Sequence, residues 1–371
     1  MDQVQEILAG IRAWVEVETP SDDAAAVNRL MDVVEAALAE LGLATERISG
    51  RAGYGDHVKA RLGPDEPGGI LVLAHLDTVW PKGTLEAMPF RVEGDRAYGP
   101  GVCDMKGGAY LGVYALRELL RSGRRPRLPV TLLYTSDEEA GSPTSRRLIQ
   151  EEALRHRYVL VLEPGVAPAG AVKTARKGWG RFHVWVEGRA AHAGADHASG
   201  RSAVVELARQ ILALEAMTDY GRGTTVNVGV VMGGTRPNVV PAHAHAEVDL
   251  RVATAEEAER MTAAILGLRP MGEGVRVRVT GGMDRPPFER TEGVARLYSL
   301  ARELAAAFGY DLPETSAGGV SDGNLTAALG VPTLDGLGVV GAGMHAEDEH
   351  LLISHLVPRA RLLMALLESL A

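Results

Sequence analysis

Three short stretches of the chain are apolar almost without interruption, and they carry the first expectation about its fold. Residues 70–74 read Ile-Leu-Val-Leu-Ala, residues 130–133 Val-Thr-Leu-Leu and residues 158–162 Tyr-Val-Leu-Val-Leu. Continuous runs of this length fit strands buried on both faces. Helical spacing fills the intervals. Val4, Ile7, Leu8, Ile11, Trp14 and Val15 share one face of an opening helix, and Pro20-Ser21-Asp22 stops it and caps a second over about 23–41. Further helices are predicted over 109–120 and about 144–154, with shorter strands at 43–48 and 57–62. Strand, helix, strand, helix, strand in this order predicts an α/β domain, a mostly parallel sheet with helices on both faces.

The pattern changes near Lys177. From Gly178 to about Thr280 the strand-like segments alternate in polarity, as in Phe182-His183-Val184-Trp185-Val186 and in 242–252. Helical stretches at about 203–217 and 255–268 separate them. Alternation fits an antiparallel sheet with one covered face, so an α+β domain of order β-α-β-β-α-β is expected. After Asp284-Arg285-Pro286-Pro287 the earlier pattern returns: helix over 294–308, short strand over 332–337, helix over 353–370. The smaller domain, 177–285, is thus read as an insertion into a larger one of 1–176 and 286–371, with hinges near 177 and 285.

Composition narrows the function classes. A chain of 371 residues with 46% hydrophobic and 23% charged residues is an ordinary globular protein, long enough for two domains. Its formal charge of -9 argues against a nucleic-acid partner, which calls for a basic patch. A single cysteine, Cys103, suits a reducing compartment. Residues 1–17 are amphipathic and acidic rather than signal-like, and no apolar run approaches the roughly 20 residues that cross a bilayer. A soluble, cytoplasmic protein with no membrane partner is expected.

Residues able to hold a cation recur where the apolar runs end. His75 and Asp77 close the first, Glu138 and Glu139 follow the second, and Glu163 follows the third. Strand carboxyl ends border the binding crevice of open α/β sheets, and Asp, Glu and His converging there suit a divalent cation better than a phosphate. Asp137-Glu138-Glu139 leaves two readings open: the first turn of a helix, where negative charge is favourable, or a cluster whose repulsion a cation relieves. The Gly-rich segment 99–108 has the spacing of neither a P-loop nor a dinucleotide fingerprint. Asp104 within it is either a helix N-cap or a residue brought close to a ligand. His345, in Gly343-Met344-His345-Ala346-Glu347-Asp348-Glu349, is by itself an ordinary solvated loop histidine.

In this order, His75-Leu76-Asp77-Thr78-Val79, Gly101-x-x-Asp104-Met105-Lys106-Gly107-Gly108, Asp137-Glu138-Glu139, Glu163-Pro164 and Met344-His345 with its following acids resemble the co-catalytic zinc peptidase and amidohydrolase family. That family includes glutamate carboxypeptidase, acetylornithine deacetylase, succinyl-diaminopimelate desuccinylase, aminoacylase and several dipeptidases. The likeness runs from His75 to His345 and is greatest to the glutamate carboxypeptidase branch.

The resemblance implies a site. Asp104 would bridge two zinc ions (cobalt or manganese being possible substitutes), with His75 and Glu163 completing one and Glu139 and His345 the other. Asp77 would orient His75 by accepting its second ring N–H. Glu138 would be the general base of a metal-activated water and would then protonate the leaving amine. A cis peptide is implied after Asp104. In the inserted domain, His192 resembles a histidine that stabilises the oxyanion in the partner subunit's site, which implies a homodimer through that domain; otherwise it is a surface-turn residue. Asn238, Arg251 and Arg285 resemble binders of the substrate carboxylate, although Arg251 without the resemblance is a strand-end surface charge. The loop 318–323 resembles one that lines the substrate pocket.

The implied activity is zinc-dependent hydrolysis of an amide bond adjacent to a free carboxylate, in a small peptide or N-acyl amino acid. The alternatives are an N-acyl-amino-acid deacylase of the acetylornithine or succinyl-diaminopimelate type, a dipeptidase, and a catalytically inert binding relative.

Overall fold

The computed structural model describes residues 3–371. The chain divides into two compact units, one of Met1–Ala175, Arg290–Ser316 and Ser321–Ala371, the other of Arg176–Glu289 and Ala317–Val320. The brief return of 317–320 to the second unit is a crossing that the hydrophobic pattern does not mark.

The first unit is built on a six-stranded sheet in the order Ala44–Ile48, His57–Leu62, Val130–Thr135, Gly69–His75, His156–Val161, Thr333–Leu334. The last four run parallel to one another, and His57–Leu62 is antiparallel to both of its neighbours, Ala44–Ile48 and Val130–Thr135. The central strand Gly69–His75 is buried along its whole length. Its side chains go alternately to two cores. Ile70, Val72 and Ala74 join the helices Gln3–Val15, Ala24–Glu40, Lys106–Arg121, Glu292–Ala306 and Leu356–Ser369, whereas Leu71 and Leu73 pack with Ile149 and Ala153 of Arg146–Arg155 and Leu325 of Gly323–Ala327. Burial on both faces is the physical reason that the strand sequence does not alternate.

A second sheet of the same unit has five strands of two or three residues, in the order Arg91–Glu93, Arg96–Tyr98, His350–Leu352, Val340–Ala342, Gly165–Val166. Its pairings join distant parts of the chain: Tyr98 lies opposite His350, and Val340 opposite Gly165. The segments that flank these strands, 99–105, 163–164 and 343–349, are thereby gathered together.

The second unit carries a four-stranded sheet in the order Thr225–Gly233, His243–Val252, Gly178–Glu187, Arg276–Arg285, with every pair antiparallel. Helices Ala203–Glu215 and Ala255–Leu266 cover one face, giving the sequence order β-α-β-β-α-β. Burial alternates along Gly178–Glu187, with Phe182, Val184 and Val186 packed against Leu207, Leu214, Met261 and Ile265. Ser202 and Thr254 cap the two helices by accepting from Val205 N and Glu257 N. Among the described residues no helix is long and apolar enough to cross a membrane.

Candidate active site

Three neighbouring parallel strands of the first unit end on the residues that the sequence singles out. His75 is the last residue of Gly69–His75, Glu138 and Glu139 lie just beyond Val130–Thr135, and Glu163 just beyond His156–Val161. Asp104 arrives from the 99–105 loop, and its peptide bond to Met105 is cis. His345 arrives from the 343–349 segment and has a left-handed backbone (φ 63°).

The geometry centres on Asp104. Its Oδ1 lies 3.3 Å from His75 Nε2, and its Oδ2 lies 3.4 Å from His345 Nε2. His75 Nε2 is also 3.6 Å from Glu163 Oε1, and His345 Nε2 is 3.3 Å from Glu139 Oε2. One carboxylate therefore faces two histidines, each with a second carboxylate beside it. The spacings exceed ordinary N–H···O hydrogen bonds. Three of the four equal the gap of about 3.3–3.4 Å expected between two donors that each sit roughly 2.0–2.1 Å from one tetrahedral ion, and the His75–Glu163 spacing of 3.6 Å is slightly wider.

Electrostatics point the same way. Burial pushes the Glu138 carboxyl well above the usual range, and the charges of Asp322, Glu163 and Glu139 add to this against His75. Glu139 is pushed up to about 7, mainly by burial. Burial works against a charged His75, yet Asp104, Asp77 and Glu163 hold its affinity for a proton well above the ordinary value. Asp104 and Glu139 raise His345 to about 10. Buried carboxylates crowded in this way call for positive charge among them. In addition, Glu139 Oε1 is buried without a hydrogen-bond partner. The donor set of imidazoles and carboxylates, the spacings and this orphaned oxygen all fit divalent metal ions. His345 is half exposed while His75 is buried, so the site opens to solvent on the His345 side.

Asp77 differs in detail from the expectation. His75 Nδ1 donates to the Asp77 backbone carbonyl at 3.0 Å, while the Asp77 carboxylate is 3.5 Å away. That carboxylate instead accepts from the backbone N–H groups of Glu138 (3.2 Å) and Glu139 (3.1 Å) and from the Ser21 hydroxyl (2.7 Å). Asp77 thus fixes His75 through its main chain and the two glutamates through its side chain. Asp137, which the sequence left without a role, turns away from this site. It accepts from the backbone and hydroxyl of both Thr144 and Ser145 and anchors the start of helix Arg146–Arg155. Asp322 accepts a short hydrogen bond from Ser142 and begins the helix Gly323–Ala327.

His192, Asn238, Arg251 and Arg285 belong to the second unit. The loops of His192 and Asn238 lie side by side there, joined by Ala193 N–H to Asn238 O and by Val240 N–H to Ala191 O. His192 is exposed, and its Nδ1 accepts from Gly194 and Ala195, which leaves the proton of the neutral ring on Nε2. Arg251 and Arg285 are both cross-strand partners of Trp179, so the three form a row across three strands. Arg251 makes a bidentate pair with Asp249, and Arg285 is buried with Nη1 on Asp284. A further His183, His245 and Glu247 group lies in this unit. Its imidazoles are near-parallel, with centroids 5.5 Å and nitrogens 3.3 Å apart. The ring nitrogens are within hydrogen-bond distance of each other.

Against this geometry, the sequence profile of Peptidase family M20/M25/M40 matches residues 71–369. The chain belongs to that family. It is a hydrolase of the metallo-exopeptidase and amidohydrolase class. Among M20 relatives, carboxypeptidase G2 of Pseudomonas sp. (strain RS-16) is 33% identical over 98% of this chain and 88% of its own. A succinyl-diaminopimelate desuccinylase of Alkalilimnicola ehrlichii is 30% identical over 84% of this chain and 86% of its own. The fold is that of the crystal structure of aminopeptidase PepT from Bacillus cereus, with a TM-score of 0.83, 22% identity and 98% of each chain covered.

The sequence missed Ser21, which supports Asp77, and Glu349, which holds the Asp104 loop (below). Ser21 stands in the Pro20-Ser21-Asp22 helix stop and Glu349 among the acids that follow Met344-His345, and neither is given a role there. Glu349 closes a run of exposed acids and looks like one more of them.

Proposed function

We propose that this M20 enzyme holds two zinc ions and hydrolyses an amide bond next to a free carboxylate, as a carboxypeptidase acting on peptidyl or N-acyl amino acids. One observation carries the reading: the two oxygens of Asp104 face two different histidines, each flanked by a further carboxylate, with Glu138 beside them. His75, Glu163 and Asp104 would hold one ion and His345, Glu139 and Asp104 the other. When bound, ions so held lower the pKa of a water and polarise the scissile carbonyl. Glu138 takes the proton from the attacking water as the new C–O bond forms, and delivers it to the amide nitrogen as the C–N bond breaks. Asp77 keeps Glu138 and Glu139 in register through their backbone N–H groups.

The likeness to carboxypeptidase G2 supports a substrate with a terminal carboxylate. Asn238, Arg251 and Arg285 are our candidates for its binders, and binding through the Arg251 fork would require its pair with Asp249 to open. The desuccinylase relatives favour a second reading, N-acyl-amino-acid deacylation at the same centre. An assay with added zinc separates the two. N-acyl and peptidyl glutamates are expected to turn over faster than N-acetyl-ornithine or N-succinyl-diaminopimelate, and the reverse order would establish the deacylase.

A homodimer through the inserted unit is part of this proposal. Strand Thr225–Gly233 is a sheet edge that exposes Val230, Val231 and Met232, and helix Ala203–Glu215 exposes Val204, Val205 and Leu212. An apolar open edge of this kind suits pairing with a second copy. The Nε2 proton of His192 would then serve the oxyanion in the other copy's site. His192→Ala is expected to lower kcat roughly 10²–10³-fold with the fold intact. Equal mixing of that variant with Glu138→Gln, followed by subunit exchange, is expected to restore roughly a quarter of wild-type activity, because half the dimers carry one intact site. No recovery would mean that each site is complete within one chain. The single, buried Cys103 supports a reducing, cytoplasmic setting.

A further inference from the structure

Glu349 lies four residues beyond His345 and is fully buried. Its carboxylate accepts four N–H groups. Oε1 takes the backbone amides of Cys103 (2.9 Å) and Asp104 (3.0 Å), and Oε2 takes that of Gly101 (2.9 Å) and the indole of Trp80 (2.7 Å). Four donors use all the acceptor sites of a carboxylate. Three of them belong to the loop that carries Asp104, whose inward-facing amides have no strand or helix to satisfy them. The loop is tight as well. Gly101 has a φ of +71°, and a Cβ there would lie 2.6 Å from Thr78 Cγ2.

The same carboxylate belongs to the segment that presents His345, which is otherwise half exposed. No other group described above is bonded to the Asp104 loop while standing so near His345 in the chain. Because Glu349 holds the backbone N–H of Asp104 itself, movement of one segment against the other must break several charge-assisted hydrogen bonds. Asp104 Oδ2 and His345 Nε2, one on each segment, are 3.4 Å apart.

We propose that Glu349 is a positioning residue of the metal centre. By clamping the 101–104 loop to the His345 segment, it sets the gap between Asp104 and His345, and with it the affinity for the ion on that side. This rests on the two-ion reading of the site. Glu349 itself touches neither ion nor substrate. Partners behind metal ligands typically change affinity by roughly 10–100-fold when lost.

The test titrates metal-free wild type, Glu349→Gln and Trp80→Phe with cobalt(II), following the visible spectrum, and measures zinc retained against a competing chelator. The wild type is expected to bind two ions. Glu349→Gln, whose amide nitrogen would face donors, is expected to bind one ion as wild type does and the second roughly 10–100-fold more weakly, with turnover recovering at excess metal. Trp80→Phe leaves the three loop bonds and is expected to weaken only that second ion, by roughly three- to tenfold. Unchanged affinity for both ions in folded Glu349→Gln, or equal weakening of both, overturns the assignment. If Glu349→Gln does not fold, Trp80→Phe decides: selective weakening of one ion supports the assignment and unchanged binding overturns it. A wild type that binds fewer than two ions overturns the two-ion reading, and this assignment with it.

Discussion

Glu138→Gln is expected to lower kcat by roughly 10²–10⁴-fold while metal content stays at the wild-type level. Glutamine keeps the volume of the side chain and cannot take a proton from the attacking water. The ligand spacings around Asp104 do not depend on it, since Glu138 Oε2 is 4.0 Å from His75 Nε2, beyond the separations within the ligand set. Metal content measured beside turnover checks this, and unchanged turnover would remove Glu138 from its role. Stability gives an independent readout. In metal-free protein burial and neighbouring carboxylates hold the Glu138 carboxyl well above its unfolded value. A carboxyl raised in this way favours folding while protonated and loses that contribution as pH rises through its folded pKa. Gln, which never ionises, should therefore melt at a higher temperature than wild type in chelator at neutral pH, with the difference vanishing as pH falls below the unfolded carboxyl range.

Asp104→Asn is expected to have the opposite effect on stability and a larger one on metal. Both of its oxygens face a histidine, so the change weakens both halves of the centre at once. Zinc per chain should fall below one, and activity should fall by more than the roughly 10–100-fold typical of a residue behind the ligands. In metal-free protein burial opposes the Asp104 charge, but His345 and His75 hold its carboxyl below the usual range. A depressed carboxyl stabilises the fold above its unfolded pKa and loses this as pH falls. Asp104→Asn should thus melt below wild type in chelator at neutral pH and converge with it in acid. Two carboxylates of one site are then told apart by the sign of a melting shift. Retention of two ions by Asp104→Asn would exclude it as the bridge.

What could be read in advance follows from local physics. The runs at 70–74, 130–133 and 158–162 announce strands because both faces of their sheet are covered, and the residues that end them are the ones that meet at Asp104. The alternation from Gly178 onward reflects a sheet with helices on one face. The second sheet of the first unit was not legible, because strands of two or three residues have no period, and pairings such as Tyr98 with His350 are set by distant segments. Asp77 shows the same limit at a single residue. Its place beside His75 is visible in the sequence, but the backbone amides of Glu138 and Glu139 reach it only through the fold. Glu349 is the extreme case: an acid among acids in the sequence, and a fully buried acceptor of four N–H groups in the structure. The Arg251 fork likewise looks open in sequence and is engaged by Asp249 in the fold.

The division of the chain bears on how the protein is made. All the residues gathered at Asp104 belong to the first unit, but that unit is interrupted by the insertion. His75, Asp104 and Glu163 leave the ribosome before any of the inserted residues, whereas His345 follows all of them. The central strands Gly69–His75, Val130–Thr135 and His156–Val161 are also synthesised before the interruption. Because chains fold from the N-terminal side as they emerge, the three residues proposed for the first ion are all in hand before the insertion is made, whereas the set proposed for the other lacks His345 until a whole domain later. Vectorial synthesis therefore gives the two halves of the centre an order of maturation, the His75 half first, that the finished molecule no longer displays.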